Sequence, residues 1–203
     1  MNKDNIQLDK TILIAICGKS CAGKDTLAKE VFKDFQKQGL PAHYIVSDTT
    51  RPKRKNEINN VDYHFITVDK FTWRVQKKKY LEWSEFRGWY YGTNQSELVD
   101  NSINIGVFNL QGISSLLKFK EDYFIIPIYI DDSWITRLKR SFKREKRITS
   151  EIFRRMITDH NDFKEYYKTI EKFPHSLNLS GIRSLHNRVF GISAYVKYLL
   201  DIQ

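Results

Sequence analysis

TILIAIC, residues 11–17, is an unbroken apolar run rich in β-branched side chains, the pattern of a strand buried on both faces of a parallel sheet. INIGVFN (103–109) and YFIIPIYI (123–130) share that character, and HYIVS (43–47) is a shorter version of it. After the first run the period lengthens. Leu27, Val31, Phe32 and Phe35 recur at helical spacing between Lys24 and Gln38, and Gly39 and Pro41 then end the helix. Buried strands alternating with helical segments predict an α/β fold around a parallel central sheet. The pattern changes between Thr49 and Val99. There, short aromatic-rich stretches (VDYHFITV, YLEWSEF, GWYYGT) around one helical piece at 69–79 predict a small inserted β-rich subdomain. Residues 132–172 are mostly helical by period, with a break near the basic stretch 140–148. A last helix over 182–201 offers Val189, Tyr195, Val196 and Leu199 as its packing face.

Composition narrows the class without choosing a function. A chain of 203 residues suits one domain with small insertions, and 13 Phe, 11 Tyr and 4 Trp mark it as folded rather than disordered. No apolar run is long enough to span a bilayer, and MNKDNIQLDK has no apolar core of a signal peptide, so a cytoplasmic protein without a membrane partner is expected. Cys17 and Cys21, the two cysteines, are expected to stay reduced there. The net charge of +10 draws anions but does not select among them. Basic residues gather in RPKRK (51–55), QKKKY (76–80) and RLKRSFKREKR (137–147); the first and third suit phosphate clamps. No nucleic-acid-binding module is recognisable, and no nucleic-acid partner is expected.

The clearest chemistry lies in CGKSCAGKDT (17–26), between the first strand and the first helix. Gly18-x4-Gly23-Lys24 is the frame of a phosphate-binding loop: its glycines free backbone N–H groups to point inward, and its lysine reaches the outer phosphates. The start of the helix adds its partial positive charge. Gly18, Ser20, Ala22, Gly23, Lys24, Asp25 and Thr26 are therefore the candidate nucleotide-phosphate residues. The pattern normally closes with a Ser or Thr on magnesium, and here Asp25 holds that place with Thr26 following.

Two further stretches, SDTTRPKRKNEINNVDYHFIT (47–67) and YLEWSEFRGWYYGT (80–93), resemble the nucleoside-monophosphate-binding insert of guanylate kinases. With the loop, the resemblance is strong over 11–98 and extends more loosely through LQG (110–112) to about residue 160. It implies a P-loop three-layer sandwich in a single domain: 11–46 and 99–203 form the core, 47–98 the insert and 138–150 a helical lid. It implies phosphoryl transfer from ATP, with Mg²⁺, to a nucleoside monophosphate, GMP or dGMP. By position, the acceptor's phosphate ligands fall on Arg51, Arg54, Tyr63 and Tyr91. Ser47, Glu82 and Thr93 become guanine readers. The residue types suit these roles, because paired guanidinium groups hold a phosphate in fork geometry, and a carboxylate accepts from guanine N1–H and N2–H2 while opposing the bare N1 of adenine. Lys24, Arg137, Arg144 and Arg155 become the catalytic cations. The stretch between Arg137 and Arg155 is longer than usual, so the central lid arginine is Arg140 or Arg144; counting back from Arg155 selects Arg144.

Two positions depart from the resemblance. In VFNLQG, Val107 and Asn109 stand where the family places aspartates, the first supporting magnesium and the second reading the guanine edge. Mg²⁺ prefers hard oxygen ligands, and Asp25 returns to the loop a carboxylate that Val107 removes, which makes Asp25 the metal candidate. Asn109 remains a candidate reader without the charge. GMP or dGMP is expected as the best acceptor, with IMP weaker and AMP and pyrimidine nucleotides poor. Competing with the kinase is a non-catalytic module of the same fold that binds a phosphorylated or acidic partner, or a kinase with altered base preference.

Overall fold

The computed structural model describes residues 8–201 apart from 87, 146–149 and 164–165; the side chains of 144–145, 150–151, 155, 160–162 and 166–167 are likewise outside the described set. At its centre is β1 (Ile12–Gly18), all seven residues buried. Parallel strands flank it: β7 (Ile103–Val107) on one side and β8 (Phe124–Ile130) on the other. β2 (Ala42–Tyr44) lies outside β7 and β9 (Leu177–Asn178) outside β8, giving the order β2-β7-β1-β8-β9. Strand alternation divides β1 between two layers. Ile12, Ile14 and Ile16 pack with α1 (Lys24–Lys37) and α7 (Leu185–Leu199). Leu13, Ala15 and Cys17 face α3 (Leu110–Leu116) and α6 (Tyr166–Ile170). Each buried Ile or Leu contributes about 1.5–3 kcal/mol, so this double-faced strand anchors whatever is attached to its end.

The periodicity is realised closely in the core helices. Leu27, Val31 and Phe35 of α1 are fully buried, and Val196 of α7 is buried beside partly buried Val189, Tyr195 and Leu199. Of HYIVS only His43 and Tyr44 enter the strand, with Ala42 before them, although Ile45 still donates its N–H to Ile105 O at 2.9 Å. The basic stretch expected to break the helix does not do so at its start: α4 (Trp134–Glu145) continues through it to Glu145, because Lys and Arg are good helix formers. α5 (Ser150–Asp162) follows. β9 has no counterpart in the apolar pattern, since two residues are too few to show a period.

The chain between β2 and β7 forms a second sheet, of order β4-β3-β6-β5, from β3 (Asp48–Thr49), β4 (His64–Phe65), β5 (Tyr80–Phe86) and β6 (Trp89–Asn94). Its own aromatic core centres on Phe71 of α2 (Val68–Gln76), stacked on Tyr80 and Tyr90 with ring centroids 4.6 and 5.4 Å away. Fully buried Asp48 accepts from Arg74 and, at 2.6 Å, from the Tyr80 hydroxyl, tying α2 to this sheet. Among the described residues no helix is long and apolar enough to cross a membrane.

Candidate functional site

The loop after β1 turns where only glycine fits. A Cβ on Gly18 would lie 2.0 Å from Ile130 O of the neighbouring strand, and Gly23 begins α1 at a φ of 92°. Three elements then hold the loop from outside. Arg188 of α7 donates to Ala22 O at 3.4 Å, to Asp131 O at 2.9 Å and to Asp132 Oδ1 at 2.8 Å. Arg140 of α4 donates to the other oxygen of Asp132 and to Cys21 O at 3.1 Å. Asp131 pairs with Lys19. Asp132 thus bridges two arginines, each gripping a loop carbonyl. From α5, the Asp159 carboxylate accepts from the Ser20 N–H at 2.8 Å and the Ser20 hydroxyl at 3.0 Å. The Lys24 ammonium donates to Gly18 O at 2.8 Å and Lys19 O at 3.1 Å.

A cavity of about 780 Å³ runs from this loop to the second sheet. Gly18, Ser20, Gly23, Lys24 and Asp25 line one end; Ser47, Arg51, Arg54, Tyr63, Glu82, Tyr91 and Asn109 line the rest, with Val107 between. Residues scattered over ninety positions of sequence therefore meet on one surface. Ala22 is buried in the core, with its carbonyl turned to Arg188, and Thr26 is exposed. Thr93 is fully buried behind Glu82.

The two arginines already share an anion. Glu57 accepts from both terminal nitrogens of Arg51, at 3.0 and 2.8 Å, and from Arg54 Nη1 at 3.1 Å. This fork geometry is the one a phosphate would exploit. Burial opposes the Arg51 charge, but Glu57 and Tyr91 outweigh it and leave the guanidinium more firmly protonated than usual. The Arg51 guanidinium also lies over the Tyr63 ring, 5.6 Å from its centroid. Burial, and then the nearby Asp25 charge, push the Tyr63 hydroxyl well above the ordinary phenol range, so it remains a donor. At the far end burial raises the Glu82 carboxyl to about 7, although the polar groups of neighbouring Thr93 pull the other way.

The lid cations divide. Arg140 and Arg154 line the cavity. Arg137 is 3% exposed, with Nη1 at 3.6 Å from Asp159 and 3.9 Å from Asp131, and it lies outside the cavity lining. The side chains of Arg144 and Arg155 fall outside the described residues, as does part of the 138–150 lid. Sequence reasoning missed Glu57, Asp132, Asp159 and Arg188. Glu57 carried a signal, since two arginines so close together call for a counter-anion; the other three look like ordinary helix or loop charges.

For Mg²⁺ the fit rests on Asp25. Its carboxylate is exposed at the cavity wall beside Thr26, and among the described residues no hydrogen bond or ion pair engages it, which suits an ion that keeps several waters and takes one or two carboxylates. Val107 offers no oxygen from its side chain. No cluster of three His, Cys, Asp or Glu suited to a metal occurs among the described residues.

Comparison with known proteins bears on the family and the fold. The family model described as Guanylate kinase matches residues 10–173. The chain is 33% identical to the guanylate kinase of Clostridium acetobutylicum over 171 residues, covering 79% of this chain and 73% of that one. It is 30% identical to that of Mycoplasmopsis pulmonis over 168 residues, 79% and 84% of the two chains. It is 39% identical to that of Thermotoga maritima over 128 residues, a match spanning 59% of each. The crystal structure of guanylate kinase from Anaplasma phagocytophilum, 16% identical, has the same fold with a TM-score of 0.66 over 95% of this chain and 88% of that one.

Proposed function

The chain belongs to the guanylate kinase family, and we propose that it transfers the terminal phosphoryl group of ATP to GMP or dGMP. The carrying observation is one continuous cavity with a phosphate loop at one end and an arginine pair plus a buried carboxylate at the other. The donor's phosphates enter the loop, where Lys24 exchanges the carbonyls of Gly18 and Lys19 for phosphate oxygens and Ser20 exchanges Asp159. Arg51 and Arg54, with Tyr63 and Tyr91, take the acceptor phosphate in place of or beside Glu57. Glu82 and Ser47 face the base, and Thr93, expected among the base readers, supports Glu82 from behind.

An acceptor phosphate oxygen attacks the terminal phosphorus of ATP as the bond to the ADP oxygen breaks. No enzyme nucleophile is needed. Charge spreads over the equatorial oxygens of a loose transition state, so positioning and electrostatics supply most of the rate. Lys24 serves this charge directly. Arg140, on the cavity wall and braced by Asp132, is the described candidate for the central lid arginine in place of Arg144; Arg154 lines the same cavity, and Arg155 completes the set by resemblance. Arg137 acts from beneath, holding Asp131 and Asp159 against the loop. Mg²⁺, bound at Asp25, would neutralise the charge of the donor's outer phosphates.

Release of ADP from ATP and Mg²⁺, followed with GMP, dGMP, AMP, CMP, UMP and dTMP in turn, tests the proposal. GMP or dGMP should give the fastest turnover. A preference for AMP or a pyrimidine nucleotide would contradict the base assignment; tight GMP binding without turnover would point to a non-catalytic module.

A further inference from the structure

Asn109, expected to read the guanine edge, is occupied elsewhere. Its Oδ1 accepts from the Gly112 N–H at 2.7 Å, capping α3, and its Nδ2 donates to Ser84 Oγ on β5 at 2.7 Å. Both ends of the amide are fixed by the protein, so the amide cannot flip to suit a base. Whichever part meets the ring carries no full charge, and the amide NH2 would oppose an exocyclic amino group. Val107, also on the cavity wall, adds only apolar surface. Among the described lining residues, Glu82 is the one carboxylate away from the phosphate loop, where Asp25 and Asp159 lie.

Glu82 itself does not depend on the amino group of guanine. A site rejects an analogue lacking a donor chiefly because a buried acceptor is left bare. Here the carboxylate is 8% exposed with fully buried Thr93 opposite it on β6 easing its charge, and Ser47 Oγ stands 3.3 Å from Thr93 Oγ1 as a further hydroxyl at the same wall. A ring N1–H supplies that carboxylate with a donor. Hypoxanthine has that N1–H and the same O6; adenine lacks both.

We propose that the acceptor site recognises 6-oxopurine nucleoside monophosphates as a class, through N1–H on Glu82, and that IMP is taken nearly as readily as GMP; the proposal rests on the acceptor assignment made above. The gap between GMP and IMP is therefore narrower than the bare residue types suggested. Asp at position 109 would keep the cap on α3, since Asp is as good an N-cap as Asn, while adding the missing charge at the C2 edge.

Calorimetric titration of GMP and IMP at pH 8, on the wild type and on Asn109→Asp, reads this without requiring turnover. The wild-type affinities should differ by less than about tenfold, and Asn109→Asp should widen the ratio in favour of GMP by about tenfold or more, the usual worth of a charge-assisted hydrogen bond. A wild-type preference for GMP above about tenfold, or an unchanged ratio in the variant, would overturn the proposal. Bound GMP that is never converted to GDP would defeat the catalytic reading alone, because the affinity ratio would still decide base recognition. Failure of both nucleotides to bind would defeat both.

Discussion

Burial sets the pH at which Glu82 can accept from a base. Its carboxyl is raised from 4.5 to about 7, so between those values the folded chain holds a proton that the unfolded chain has lost. Stability therefore falls as pH rises through that window, and the full penalty, on the order of 3 kcal/mol, is present above pH 7. Glu82→Gln should leave the melting temperature unchanged below pH 4.5 and raise it at pH 8, while GMP affinity collapses. A thermal melt at both pH values, paired with a GMP titration, checks this; a lower melting temperature at pH 8 would show that Glu82 is a structural anchor. In the wild type, GMP affinity should drop about tenfold per pH unit below 7 as the carboxylate is lost. Asp25 makes a second residue-scale case. If it holds magnesium, Asp25→Ala should reduce Mg²⁺-dependent turnover more severely than Asp25→Ser, whose hydroxyl is still a hard oxygen ligand. Equal rates for wild type and both variants across a magnesium titration would remove Asp25 from the metal site.

At the scale of elements, the site depends on how helices grip a loop. The Asp132 bridge joins α4 and α7 to the phosphate loop through Arg140 and Arg188. Arg188 is buried, so Arg188→Met leaves Asp132 to Arg140 alone and two carbonyls bare, and should cost about 3 kcal/mol, the low end of the penalty for breaking a buried ion pair. The loss should weaken ATP binding while leaving GMP affinity near its wild-type value, because Arg188 of α7 holds the loop through Ala22 O. Parallel ATP and GMP titrations distinguish this from a general loss of fold, in which both would fall together. The apolar runs made β1, β7, β8 and α1 legible in the sequence because each is buried on at least one whole face. Gly18, Gly23 and Lys24 were legible because a phosphate loop imposes fixed spacing. The Arg188–Asp132–Arg140 bridge was not, because its members are 56 and 8 positions apart and each, taken singly, matches a solvated charge. Asn109 was legible as a candidate but not as a helix cap, since capping depends on where α3 begins.

Over the whole molecule, the site is neutralised from within. Glu57 holds Arg51 and Arg54, Asp159 holds Ser20, and the loop's own carbonyls hold Lys24. On the proposed assignment, donor and acceptor phosphates exchange these internal partners for their own oxygens; the internal pairs keep the cationic cavity folded before substrate arrives and set a threshold against weaker anions. On the same proposed assignment the core carries the donor end and the second sheet the acceptor end, so the reaction depends on both being filled at once. Phosphorus NMR of the protein with ATP, GMP and Mg²⁺ tests this most directly. The wild type should produce ADP and GDP in equal amounts, and Lys24→Ala should produce neither at a comparable rate while keeping its fold. ADP accompanied by inorganic phosphate without GDP, or undiminished GDP formation by Lys24→Ala, would contradict direct transfer at this site.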